Sequence, residues 1–216
     1  MMNRGQALAR LGSFMAAGWV GSKATNLYAE TTASLPTAAA VPTAAPGTPV
    51  TIAHITDVHL IDKYNAEKWV AKALHMIQSH PSKPSLILNS GDCVMDTAHQ
   101  DKELSVKYWD LWNKTFQNEN SLPVHTSLGN HDVWGTRLAA DTPFQNDPQF
   151  GKKLALDKLG RDKAYYSFDV GNWHFIVLDS ITTLKDEANY HWIGKLDEEQ
   201  MAWLKNDIKS IPEDRY

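Results

Sequence analysis

Three short apolar runs, each ending in a polar motif, constrain this chain more than anything else in it. Val50 to Ile55 leads into Asp57-Val58-His59, Ser85 to Asn89 into Gly91-Asp92, and Leu122 to Ser127 into Gly129-Asn130-His131-Asp132. Runs of this length bounded by Gly, Asn and Asp read as strands. Between them, Asn65 to Gln78 repeats apolar residues at helical spacing, with Val70, Leu74 and Ile77 on one face, and Asp101 to Gln117 reads as a second helix rich in aromatics. Strand, helix, strand, helix, strand predicts an α/β sheet with crossover connections. Ligands of such sheets gather beyond the carboxyl ends of the strands, where all three motifs fall.

Further along, Phe150 to Leu159 predicts a short helix. Tyr165 to Asp169 and Trp173 to Leu178 predict a hairpin turning at Gly171-Asn172, and Glu198 to Ile208 a last helix. Residues 50–216 therefore read as one folded unit. Ahead of it, residues 30–49 are rich in Ala, Thr and Pro and read as an extended linker. Residues 1–29 read as a signal peptide: Arg4 and Arg10 precede the apolar Leu11 to Gly21, with Leu27-Tyr28-Ala29 as the cleavage region. The apolar core is too short to span a membrane, which takes about 20 residues. No Cys follows it to carry a lipid, so an exported product, periplasmic or secreted and without a stable membrane anchor, is expected. Asn3 to Leu8 is similar to a twin-arginine signal except that Gly5 stands where the second Arg belongs.

The formal charge is −4, and removal of residues 1–29 would take Arg4, Arg10 and Lys23 but no acid, lowering it to −7. That balance gives no basic face for a nucleic-acid duplex. An acidic protein meeting an anionic ester would need a local positive centre, which bound metal supplies. The single cysteine, Cys93, excludes an intrachain disulfide and reads as a packed residue at a strand end.

Carboxylates, imidazoles and a carboxamide beyond neighbouring strand ends form a ligand set for divalent ions. Mixed nitrogen and oxygen donors suit Mn, Fe or Zn better than Ca or Mg. Two such ions about 3.5–4 Å apart acidify a bridging water and clamp phosphoryl oxygens, and a shared carboxylate reduces their repulsion. Asp-x-His and Gly-Asp are weak signals alone. Gly-Asn-His-Asp is expected by chance about once per thousand chains of this length, so all three in order, each after an apolar run, outweigh a reading as turn and cap residues.

These motifs resemble those of the calcineurin-like metallophosphoesterases from about Thr51 to Ile208. Tyr165 to Asp169, Trp173 to Ser180 and Gln200 to Leu204 are similar to its branch near purple acid phosphatases and cyclic-nucleotide phosphodiesterases. The resemblance implies a four-layer sandwich of two mixed sheets flanked by helices, and metal-dependent hydrolysis of phosphoric monoesters or diesters, small molecules or nucleotides. It implies two divalent transition metal ions, the first on Asp57, His59 and Asp92, the second on Asp92 and Asn130. His131 would protonate the leaving oxygen, and Asp132 would orient His131. The family pattern continues with a metal-binding His and a Gly-His-x-His segment, whereas only His174 and His191 follow Asp132 here. A C-terminally truncated chain with an incomplete second site is therefore expected, with an inactive metal- or phosphate-binding remnant as the alternative. His174 reads as a hairpin residue, and the Tyr190 to Gly194 region as a loop near the substrate entrance. His99 is expected outside the site. Trp134 and Trp192 are open to two readings, stacking a ring of the substrate or packing.

Overall fold

The computed structural model describes residues 49–213 and Arg215. The expected signal peptide and residues 30–48 of the expected linker lie outside the described residues.

Strands β1 (Ile52–Ile55), β2 (Leu86–Asn89) and β3 (Val124–Thr126) pair in parallel, in the order β1-β2-β3. Register runs from Ile52 opposite Leu86 to Asn89 opposite Thr126. Each crossover carries a helix, α1 (Ala66–Gln78) and α2 (Lys102–Glu119). In α1, Leu74 is buried and Val70 and Ile77 pack against the core, as the helical spacing predicts. Asp101 caps α2, its carboxylate accepting from the Leu104 amide at 2.8 Å.

The core lies under α2 and around the sheet. Trp109, Trp112, Leu60, Ile87, Trp134 and Leu154 have no exposed surface. Each such aliphatic side chain contributes about 1.5–3 kcal/mol on burial. Trp112 stacks on Phe116 with centroids 4.0 Å apart. Helix α3 (Lys152–Leu159) closes the far side of α2, where Asn113 donates to the Lys158 carbonyl at 2.8 Å.

Two antiparallel hairpins follow, β4 (Tyr166–Val170) with β5 (Trp173–Val177), then β6 (Ile181–Lys185) with β7 (Tyr190–Gly194). The first turns at Gly171, which takes a left-handed φ of 57°. It lies against β3: Phe168 stacks on His125 at 3.4 Å, and the Tyr166 hydroxyl accepts from the Thr126 amide at 3.1 Å. The second hairpin replaces the loop expected at Tyr190 to Gly194. Asp186 makes its turn by accepting from the Ala188 and Asn189 amides, and the strands then pair from Lys185 opposite Tyr190 to Ile181 opposite Gly194. Helix α4 (Glu198–Ser210) ends the described elements. Its buried Gln200 takes both backbone polar groups of Asp179. The fold is mixed α/β, the strands β1–β3 pairing in parallel and the two hairpins antiparallel.

Candidate metal centre

The loops after β1 and β2 run side by side beyond the sheet. Asp57 N donates to Gly91 O at 3.1 Å, His59 N to Asp92 O at 3.0 Å, and Leu60 N to Cys93 O at 3.0 Å. This ladder holds Asp57, His59 and Asp92 in left-handed backbone, with φ of 51°, 46° and 50°. A left-handed residue other than glycine costs about 1–2 kcal/mol. Three of them at one place mark a region whose surroundings impose the conformation.

The third loop meets the second through two glycines. A Cβ on Gly91 would stand 2.5 Å from Gly129 N, and one on Gly129 would stand 2.1 Å from Asp92 Oδ1. Backbone hydrogen bonds from both loops then converge on two carboxylates. Asp92 Oδ1 accepts from the His131 amide at 3.0 Å. Asp132 has no exposed surface; its Oδ1 accepts from Cys93 N at 2.9 Å and Val94 N at 3.3 Å, and its Oδ2 from Gly129 N at 2.9 Å. Burial pushes its pKa up to about 7, against the lowering effect of those amides and with the neighbouring Asp92 charge adding to the rise.

Of the three predicted ligands of the first ion, His59 stands beside each of the other two, but Asp57 does not join Asp92 in one group. His59 Nε2 lies 3.7 Å from Asp92 Oδ2 and 3.9 Å from Asp57 Oδ1. His59 Nδ1 lies 3.2 Å from the Met95 carbonyl. A carbonyl only accepts, so Nδ1 donates to it, and Nε2 is the nitrogen that faces the carboxylates. An imidazole nitrogen beside two carboxylates is a donor set that fits a cation. Among the described residues, His59, Asp92 and His131 form the one group of three or more His, Cys, Asp or Glu whose ligand atoms lie within 4.8 Å of one another. The His59 and His131 rings meet edge to face at 4.7 Å. Asn130 opens the short 3₁₀ turn Asn130–Asp132 and is half-buried.

The structure corrects the expected partner of His131. Asp132 gives its carboxylate to backbone amides of two loops, not to the His131 ring, because consecutive residues of a 3₁₀ turn project about 120° apart. The carboxylate that faces His131 is Asp96, with Oδ1 3.8 Å from the buried Nδ1, which has no hydrogen-bond partner. The other Asp96 oxygen bonds His99 Nδ1 at 2.8 Å, which places His99 behind Asp96 and outside the ligand group. Sequence reasoning missed Asp96; the available signal was a second carboxylate on the Gly-Asp loop, four residues after Asp92.

The remaining histidines and Cys93 lie outside that ligand group. Trp134 is fully buried and donates its indole N–H to the Gln100 carbonyl at 3.0 Å, so of the two readings it takes packing. Trp192 is half-buried in β7. His174 lies in β5 between Asp169 and Asp207, and His191 lies in β7 opposite Leu184. Cys93 is buried, and burial pushes its thiol pKa well up.

The chain is similar to known proteins over most of its described residues. The chain is 29% identical over 174 residues to a 3′,5′-cyclic-nucleotide phosphodiesterase of Nostoc sp., a match covering 76% of this chain and 53% of that protein. It is 23% identical over 142 residues to purple acid phosphatase 21 of Arabidopsis thaliana, covering 63% of this chain and 31% of the relative. The chain thus spans about half, or less, of the length of the curated relatives it matches. The family model of the calcineurin-like phosphoesterases matches residues 50–214, which include all three strand-end loops. By that match, this chain belongs to the calcineurin-like phosphoesterase family.

Proposed function

We propose that this chain takes part in metal-dependent hydrolysis of phosphoric esters at the site formed by the three loops. The observation that carries the reading is the His59 imidazole, its Nε2 set 3.7 Å from Asp92 and 3.9 Å from Asp57. Asp57, His59 and Asp92 would hold one divalent ion, and Asp92 and Asn130 would share in holding a second. Ions of this kind lower the pKa of a water and withdraw charge from phosphoryl oxygens. His131 gives its proton to the departing ester oxygen, and Asp96 faces the other nitrogen of that ring. Asp132 keeps the Gly91 and Gly129 loops in register, which sets Asp92 beside His131. The relatives are named for a cyclic nucleotide and for phosphatase activity, so phosphomonoesters and cyclic or linear phosphodiesters of small molecules are the substrate class proposed. The basic and apolar segments of residues 1–29 support export to the periplasm or the medium.

A second reading, a chain that binds one ion and does not turn over, is favoured by the ligand count: the described loops offer the second ion only Asp92 and Asn130. Metal content and hydrolysis of aryl monoesters and diesters, after loading with Mn²⁺, separate the two. Two ions per chain with turnover abolished by Asp92→Asn support the enzyme. One ion and no turnover above Asp92→Asn refute it for this polypeptide and leave the one-ion reading.

A further inference from the structure

We propose that His174 is a proton-operated latch between the β4–β5 hairpin and α4, closed when the imidazole carries two protons and open when it loses one. Both ring nitrogens face carboxylates: Nδ1 lies 2.8 Å from Asp169 Oδ1 in β4, and Nε2 lies 3.0 Å from Asp207 Oδ2 in α4. An ionised carboxylate only accepts, so the two contacts together require the imidazolium. The other groups at this junction complete the pattern. Arg215, beyond the end of α4, lies 2.6 Å from Asp169 Oδ2, and the Ser167 hydroxyl donates to Asp207 Oδ1 at 2.8 Å. Two carboxylates are therefore matched by two cations, of which only His174 can discharge near neutral pH.

Loss of one proton turns a lone pair toward an oxygen at hydrogen-bond distance. Asp169 keeps Arg215, while Asp207 is left with the Ser167 hydroxyl and no cation, so the unmatched charge, and the weakened contact, fall on α4. The other end of α4 is held independently by Gln200 on Asp179 at 2.8 Å. Opening is therefore confined to the later turns of the helix. The hydrogen bonds to Asp207 and then Asp169 raise the His174 pKa above its ordinary value, against the opposing effect of burial. A raised folded pKa means that the latch contributes fully below the unfolded imidazole pKa and is lost as pH rises through the folded one.

Amide hydrogen exchange across Trp203 to Ser210, corrected for the intrinsic pH dependence of exchange, tests this. Between about pH 5.5 and about pH 9, protection in the parent chain should fall by about tenfold, the effect of losing one charge-assisted hydrogen bond, while α2 stays unchanged. His174→Gln and Asp207→Asn should each show the low protection at both pH values with no step between them. A parent whose α4 protection is flat across that range overturns the latch, as does a pH step that survives in either variant. Should His174→Gln fail to fold, the parent series and Asp207→Asn decide the matter.

Discussion

Replacing Gly129 by alanine tests whether the ligand loops depend on close approach at the Asp92 carboxylate. Gly129 has φ of −96°, which any residue adopts, so the added methyl acts by volume alone. It would stand 2.1 Å from Asp92 Oδ1 and 2.4 Å from Asp92 N. Comfortable separation is about 3.5 Å, so the gap must widen by about an ångström. The Asp92 side chain can rotate away, but its amide cannot, and one loop must move. Overpacking of this kind costs about 1–3 kcal/mol. At about 2–4 °C per kcal/mol for a domain of this size, Tm should fall by about 2–12 °C. The movement also pulls Asp92 out of line with His59, which should weaken Mn²⁺ binding by about 10–100-fold, as losses in the support of a metal ligand do. Thermal melting and calorimetric titration with Mn²⁺ read both effects. Gly194→Ala is the control, since nothing lies within 4 Å of the added carbon and no change beyond about 0.5 kcal/mol is expected. A Gly129→Ala chain that melts and binds Mn²⁺ like its parent would refute the reasoning.

Three more outcomes follow from other contacts. Burial, aided by the Arg161 charge, lowers the pKa of His125 to about 4, so the stability this neutral ring provides is fully present above about 6.5 and is lost as pH falls toward 4. The loss is about 3 kcal/mol, and urea midpoints should show a shallower acid slope in His125→Phe, which keeps the ring stack on Phe168; an equal slope would count against it. Asp132→Asn leaves one oxygen to serve amides from two loops and should destabilise the chain by about 1–3 kcal/mol, read from denaturant midpoints; an unchanged midpoint would mean that the loops need no shared acceptor. Gln200→Ala strips partners from the buried amide of Asp179 and should cost a similar amount, about 1–3 kcal/mol, with α4 amides exchanging faster than those of α2; uniform protection would contradict it.

The parallel sheet, both crossover helices and the first hairpin were legible because each repeats apolar residues at one period for long enough to be read. The three loops were legible as a group because their residue types are unusual after apolar strands. The β6–β7 hairpin was not, since Lys185 to Asn189 reads as ordinary polar loop and only the Asp186 side chain makes it a turn. Within the site, adjacency in sequence misled: Asp132 follows His131 but points into the interior, whereas Asp96 reaches the same ring from another loop. Backbone conformation at Asp57, His59 and Asp92 was invisible too, because it arises from pairing between loops far apart in the chain.

Those three left-handed residues impose two separate demands on one codon each. The backbone there is best served by Gly or Asn, which enter that region readily, while the proposed ligand set is served only by a carboxylate or an imidazole. A variant library sorted for folding alone should therefore drift toward Gly and Asn at positions 57, 59 and 92, and one sorted for metal retention should keep Asp, His and Asp. At Leu74, Trp109 or Leu154, where packing is the sole requirement, the two sortings should return the same residues. The positions where they part company would map the working part of the molecule without any substrate in hand.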